Sequence, residues 1–161
     1  MGGRILRAME MREVRLSDPL VAPLLAALAA DYASLYGEVD EMATTEPAQF
    51  DPPAGVFIAV VEESATGPTV VAGGGFRPLS PGVCEVKRMW THPDHRRRGL
   101  AAAVLRELED RARAAGYVTV RLETGPRQPA AAALYAKRGY RRIAPYGRYS
   151  VALAFELPLA P

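Results

Sequence analysis

The sequence predicts a mixed α/β (α+β) sheet protein with at least one strand–helix–strand unit in its second half. Three observations carry that reading. Apolar, β-branched runs follow one another closely between Val56 and Thr91. A helical period replaces the strand pattern from Leu100 onward. The rest of the chain then alternates strand, helix, strand.

Taken in order, Arg12 to Leu16 alternates charged and apolar residues, as a half-buried strand does. Ser17-Asp18-Pro19 offers a capping oxygen and a first-turn proline. Leu20, Leu24, Leu28, Tyr32 and Leu35 then recur at helical spacing until Gly37. The acidic segment that follows fits a short helix or a loop. Val56 to Val61 reads as a buried strand, Thr66-Gly67-Pro68 as a turn, and Val70 to Phe76 as a second strand. The glycines at 73, 74 and 75 predict a bulge or a close backbone approach there. Ser80-Pro81-Gly82 turns the chain into a third strand, Val83 to Thr91. His92-Pro93-Asp94-His95 breaks it. Leu100, Val104, Leu105, Leu108 and Ala112 then line one face of a helix that Gly116 closes. Tyr117 to Leu122 predicts a strand, Pro129 to Arg138 a helix with Gly139 after it, and Tyr149 to Leu157 the last strand.

Length and composition narrow the function. The 161 residues predict one domain, since two would each have a marginal core. Residues 1–10 carry no clear pattern, and Met9 or Met11 is an alternative start. The chain has 20 Lys and Arg against 18 Asp and Glu, a net charge of +2, so no chain-wide basic field points to nucleic acid. Cys84 is the only cysteine, which excludes an intrachain disulfide and a cysteine metal cluster. His92 and His95 flank a proline turn without a ligand set around them, so no metal is expected. Leu20 to Ala30 is short for a membrane span and carries Pro23. The expectation is a soluble, cytoplasmic protein.

One segment carries chemistry by itself. His95-Arg-Arg-Arg-Gly-Leu-Ala101 stands between a predicted strand and a predicted helix. A helix N-terminus presents unpaired N–H groups and the positive end of its dipole, an arrangement that binds phosphate. Gly99 lets an anion approach the backbone, and the arginines add charge. A solvated basic loop capping a helix is the plainer alternative. No P-loop and no G-x-G-x-x-G sequence is present.

The R-x-x-G-x-A pattern of Arg96, Gly99 and Ala101 resembles the acyl-CoA signature of the GNAT N-acetyltransferases. A second segment, from Gln128 through Ala131, Leu134 and Tyr135 to Gly139 and Tyr140, is similar to that family's N-x-x-A-x-x-L-Y-x-x-x-G-F stretch at every spacing. The run Glu85 to Thr91 resembles the family's central strand. Two positions depart from the pattern: Gln128 stands for the usual Asn, and Tyr140 for the common Phe. The resemblance covers Val70 to Leu157 well, and Arg12 to Val61 only by order of elements. It implies a GNAT acyl-CoA acyltransferase fold, a mostly antiparallel sheet splayed in a V with flanking helices.

The resemblance also implies acetyl-CoA as cofactor, with its pantetheine arm along Met89, Trp90 and Thr91. Its pyrophosphate would meet Arg96, Arg97, Arg98, Gly99, Leu100 and Ala101, with Gln128 and Ala131 at the following helix. Tyr135 would protonate the departing thiolate; spacing alone would make it a core aromatic beside Ala131 and Leu134. Glu85 is the candidate base, or else a strand residue paired with Lys87 or Arg88. A backbone N–H near Met89 would meet the developing oxyanion. Cys84, between valine neighbours, reads as an inert packed thiol.

The expected reaction is acetyl transfer to a primary amine of a small molecule or peptide, by direct attack in a ternary complex. From Asp31 to Gly55 the chain has acidic residues and no Lys or Arg, which predicts a positively charged acceptor. Carboxylates on a solvated surface are the alternative. Pro145-Tyr146-Gly147-Arg148-Tyr149 would supply an aromatic wall. The competing functions are a non-catalytic acyl-CoA-binding module and an RNA- or ribosome-associated protein using Arg96 to Arg98. A homodimer pairing through the last strands is a further expectation.

Overall fold

In the computed structural model, which describes residues 8–37 and 45–160, the first described element is a strand, β1 (Met9–Glu13). This lies earlier than the alternation at Arg12 to Leu16 indicates. β1 is an edge strand held by main-chain pairing to the next strand, with Met9 opposite Glu62 and Glu13 opposite Ile58. Its side chains are mostly exposed, so no apolar alternation marks it. Leu16, beyond its end, turns into the core.

Asp18 caps a short 3-10 turn, accepting from Leu20 N at 2.9 Å. Helix α1 (Ala22–Tyr36) follows and ends at Gly37. Together Pro19–Tyr36 reaches the length and mean hydropathy of a membrane-crossing helix. Here Val21, Leu24 and Leu28 are buried within the fold. A second 3-10 turn, Pro47–Phe50, places Phe50 fully inside. It falls in the stretch whose sequence fits helix or loop.

Strand β2 (Val56–Ser64) and strand β3 (Gly67–Ser80) form a hairpin in which Ser64 pairs with Gly67. The turn is therefore Ala65-Thr66 and not Thr66 to Pro68; Gly67 and Pro68 already belong to β3. Strand β4 (Val83–Thr91) has the bounds the sequence indicates. Helix α2 (Leu100–Ala114) buries Val104, Leu105, Leu108 and Ala112. Then come β5 (Thr119–Thr124), α3 (Pro129–Lys137), the short β6 (Arg141–Ile143) and β7 (Leu153–Pro158). β6 pairs along only three residues and leaves no period to read. β7 starts later than Tyr149.

The seven strands run in the order β1-β2-β3-β4-β5-β7-β6. Every neighbouring pair is antiparallel except β4 and β5. One buried cluster joins the sheet to α2 and α3 through residues such as Leu105, Val120, Tyr135 and Phe155. A second joins Val21 and Leu24 of the α1 region to Phe50, Phe57 and Val61.

Two irregularities of β4 position the site. First, β4 pairs with β5 only from Val83–Thr119 to Glu85–Arg121. Beyond that point β5 continues beside β7, and among the described residues Val86 to Thr91 has no strand on its β5 side. The sheet splays there, as the resemblance implies. Second, Gly73 faces Trp90 while Gly75 faces Lys87, so Gly74 opposes both Arg88 and Met89. That is a β-bulge. The extra residue lies on β4, not on the glycine run of β3. Arg88 adopts φ +64° to accommodate it. The glycines supply the close approach instead: a Cβ on Gly74 would sit 2.3 Å from Met89 Sδ.

The bulge also breaks the period-two alternation of side chains along β4. Cys84 and Val86 lie in the α2 cluster, with Glu85 and Lys87 ion-paired to each other. After Arg88, Met89 packs against the α2 cluster and Trp90 against the α1 cluster.

Candidate active site

The splay opens a cleft of about 2090 Å³. Its walls combine β4, the loop before α2, the start of α3 and the β6–β7 loop. Met89, Trp90, Thr91, Arg96, Arg97, Gly99, Leu100, Ala101, Gln128, Ala131, Tyr135 and Glu85 all line it. Arg98 is exposed and is not among the lining residues.

At one end the chain passes from the 3-10 turn Pro93–His95 into α2. Arg97 and Gly99 both have left-handed backbone, φ +62° and +77°. The first intrahelical bond of α2 runs from Ala103 N to Gly99 O at 3.0 Å. The N–H groups of Leu100, Ala101 and Ala102 therefore have no helical carbonyl to serve them. They stand at the positive end of the helix dipole with Arg96 and Arg97 alongside. A Cβ on Gly99 would meet nothing within 4 Å. The donors and the open space suit a pyrophosphate.

Along the middle of the cleft runs the strandless edge of β4. Its backbone donors and acceptors can pair with an extended, amide-containing chain as another strand would. A pantetheine arm has that chemistry. Donor set and shape together fit coenzyme A.

Tyr135 lies on α3, packed between Tyr140 and Phe155 at ring distances of 5.9 and 5.6 Å. Burial pushes its phenol well above the ordinary tyrosine range, with Tyr32 adding to the shift. Tyr135 therefore keeps its proton at neutral pH, as a donor must. The core-aromatic reading and the cleft-lining reading both describe this one ring.

Gln128 precedes α3 and fills the position usually held by Asn. Its Oε1 accepts from Gly125 N at 3.0 Å, Tyr36 Oη at 3.2 Å and Thr124 Oγ1 at 3.3 Å. The carbonyl end is thus engaged inside the protein, and only the amide nitrogen remains for a ligand.

Glu85 is almost fully buried at the last β4–β5 pair. Its Oε1 lies 2.9 Å from Arg77 Nη2 and 3.5 Å from Lys87 Nζ, and accepts from Arg77 Nε at 3.1 Å. Its Oε2 accepts from Tyr146 Oη at 2.6 Å. Lys87 is therefore a partner, as one alternative reading has it, and Arg77 is the larger one. Sequence reasoning missed Arg77, although it and Glu85 are equidistant from Pro81 in the turn, and so face each other. Tyr146 was expected only as an aromatic wall. Its phenol is raised by burial and by the Glu85 carboxylate.

The remaining sequence candidates settle simply. Cys84 is buried, and its thiol is pushed up to about 12, chiefly by desolvation. His92 Nδ1 accepts from Asp94 N at 3.1 Å, and His95 Nε2 lies 3.3 Å from Glu62. Among the described residues no three His, Cys, Asp or Glu gather as metal ligands. Of the acidic run, Asp31 lines the cleft and Asp51 lies 3.8 Å from Arg15. Glu38, Asp40 and Glu41 lie outside the described residues. The walls also include Arg77, Lys87, Arg88 and Arg148.

A parallel strand pair that parts at its third rung, beside an arginine–glycine helix start, defines an acyl-CoA-binding acyltransferase fold. The chain belongs to the GNAT acetyltransferase family, whose sequence model matches residues 23–140. Acetyl-CoA is that family's co-substrate. An IAA acetyltransferase of Azospirillum brasilense is 41% identical over 81 residues, 48% of this chain and 53% of that protein. This chain thus spans about half the length of that relative. A solved Klebsiella pneumoniae structure assigned to the acyl-CoA N-acyltransferases is 28% identical. It superimposes with a TM-score of 0.76, covering 94% of this chain and 98% of its own. YncA of Salmonella typhimurium, solved with its cofactor acetyl-CoA, matches at 19% identity. Its TM-score is 0.71, with 95% of each chain covered.

Proposed function

We propose that this protein transfers the acetyl group of acetyl-CoA to a primary amine by direct attack within a ternary complex. The observation that carries the reading is the continuity of one cleft. It joins the phosphate-suited start of α2, the strandless edge of β4 and the buried phenol of Tyr135.

Acetyl-CoA supplies an activated acyl group on a thiol leaving group. The chain's own residues have two proton problems to solve. A lysine-like amine titrates near ~10.4, so freeing its lone pair at pH 7 costs about 4–5 kcal/mol. Glu85 is the terminal proton acceptor in this reading. A thiol titrates near ~8.5, and Tyr135, held protonated by burial, donates to the leaving sulfur. A backbone N–H near Met89 meets the carbonyl oxygen as it gains charge. Arg96, Arg97 and the N-terminus of α2 hold the pyrophosphate and fix the acyl carbon in place.

The acceptor is a small-molecule or peptide amine. Asp31 and the acidic residues after Gly37 favour a cationic one. The Azospirillum relative is named for IAA, which puts that compound on the acceptor panel as well.

Calorimetric titration with acetyl-CoA tests the reading, with Gly99→Glu beside the unaltered chain. Micromolar binding that the glutamate abolishes is expected, followed by an acetylated product from an amine panel in mass spectrometry. An unaltered chain that does not bind acetyl-CoA would overturn it.

A further inference from the structure

We propose that Tyr146 is a catalytic residue of this transfer: its phenolic oxygen takes the proton of the incoming amine while its own proton passes to Glu85. The proposal rests on the acetyl-transfer reading above and adds a residue to it.

The reasoning starts from how Glu85 is held. Oε1 faces two nitrogens of Arg77 and the ammonium of Lys87. Oε2 faces the Tyr146 hydroxyl at 2.6 Å, in the range of a charge-assisted O–H···O⁻ bond. Glu85 is only 4% exposed. An amine in the cleft therefore meets Tyr146 before it meets Glu85. The phenol has one proton, donated to Glu85, and keeps acceptor lone pairs for a second partner. Tyr146 lines the cleft, and the relay requires those lone pairs to meet the acceptor there. Arg121 Cζ stands 5.6 Å from the centre of the Tyr146 ring and, bonded to Glu156 at 3.0 Å, fixes the ring's plane.

The phenol holds its proton too tightly to act as a free phenolate base. It can pass a proton on only as it receives one. The step balances in that form. The amine's N–H bond breaks and a new O–H bond forms on Tyr146. The old Tyr146 O–H bond breaks and its proton lands on Glu85 Oε2. The freed lone pair attacks the acyl carbon, the C–S bond breaks, and the sulfur takes the proton of Tyr135. The nitrogen of the new amide then gives up its second proton to solvent, solvent returns one to Tyr135, and the proton on Glu85 leaves to solvent through Tyr146.

Two small amines of equal reach test this: ethylamine, almost wholly protonated at neutral pH, and trifluoroethylamine, largely free base. Tyr146→Phe should lower ethylamine acetylation about a hundredfold, the scale of general-base catalysis, and trifluoroethylamine acetylation by less than about threefold. Glu85→Gln should reproduce that selectivity, and calorimetric affinity for acetyl-CoA should be unchanged in Tyr146→Phe. Without any turnover, fluorotyrosine at position 146 should show a fluorine NMR resonance that moves when Glu85→Gln is added. Equal losses for both amines, no loss for either, or an unmoved resonance would overturn the proposal. If the unaltered chain binds acetyl-CoA but acetylates neither amine, the transfer reading itself falls and takes the relay with it.

Discussion

Tyr36, on the last turn of α1, donates a hydrogen bond to Gln128, at the start of α3, across 3.2 Å. The same phenol accepts from Arg127 N at 3.1 Å, and Arg127 Nη1 donates to Leu35 O at 3.1 Å. The end of α1 is thereby tied to the loop after β5. A Cβ on Gly125 would lie 1.9 Å from Tyr36 Oη. Gly125→Ala must push that phenol off both partners. A loss of about 1–3 kcal/mol of unfolding free energy is expected, read from the denaturant midpoint at unchanged m-value. Gln128→Asn, one methylene shorter, should lose a similar amount if the tie is made by the amide carbonyl.

Arg97 separates stability from binding. Its left-handed backbone costs a non-glycine residue about 1–2 kcal/mol. Arg97→Gly should therefore leave the thermal midpoint equal or higher while weakening acetyl-CoA binding in calorimetry. A variant that loses both would show that the arginine serves the fold.

Tyr140 stands where the related pattern has Phe, and its hydroxyl explains the choice. Tyr140 Oη donates to Glu109 Oε2 at 3.1 Å, and Arg138 pairs with the other oxygen of that buried carboxylate. Tyr140→Phe removes a hydrogen bond to a charged group, worth about 1.5–3 kcal/mol. The loss should appear in chemical denaturation, with acetyl-CoA affinity little changed.

Cys84 gives a pH signature. Its thiol titrates near 9.0 when exposed and at about 12 in the fold. The folded value is the higher one, so this contribution is complete below pH 9 and is lost as pH rises toward 12. Between those limits stability should fall by up to about 1.4 kcal/mol per pH unit from this group alone. Cys84→Val should flatten that slope at pH 9 to 10, where tyrosines have yet to add theirs. An alkylating reagent at pH 8 should label Cys84 only after unfolding.

Sequence made the second half of this fold legible because its signals are local. A strand with β-branched residues, an arginine–glycine loop and an apolar helical stripe each announce themselves within a few positions. β1 was misplaced because an edge strand is held by main-chain bonds, and its exposed side chains carry no period. Of the two readings that the glycines at 73 to 75 allow, the close approach holds, while the extra residue of the bulge lies opposite them at Arg88, where no glycine marks it. Most of the anticipated cleft residues do line one cavity, since the loop and the two helices carrying them were read correctly. Arg77 is legible through strand pairing across the turn at Pro81, eight positions from Glu85, whereas Tyr36 and the role of Tyr146 are invisible for one reason. Each acts through a partner far away in the chain: Glu85 for Tyr146, Gln128 for Tyr36.

The three rungs shared by β4 and β5 also make the molecule mechanically a pair of leaves on a hinge. One leaf, β1 to β4, carries the phosphate loop at its end; the other, β5 to β7, carries Tyr135 and Tyr146 on its connections. The groups that the proposed transfer brings to a single acyl carbon are therefore mounted on different leaves. Their spacing is set by the angle at Cys84–Val120 and Glu85–Arg121. The Tyr146–Glu85 bond is a clasp between the leaves, fastened at the pivot. Side-chain volume on the core face of that pivot, at Cys84 and Val120, is where the spacing of these groups is tuned.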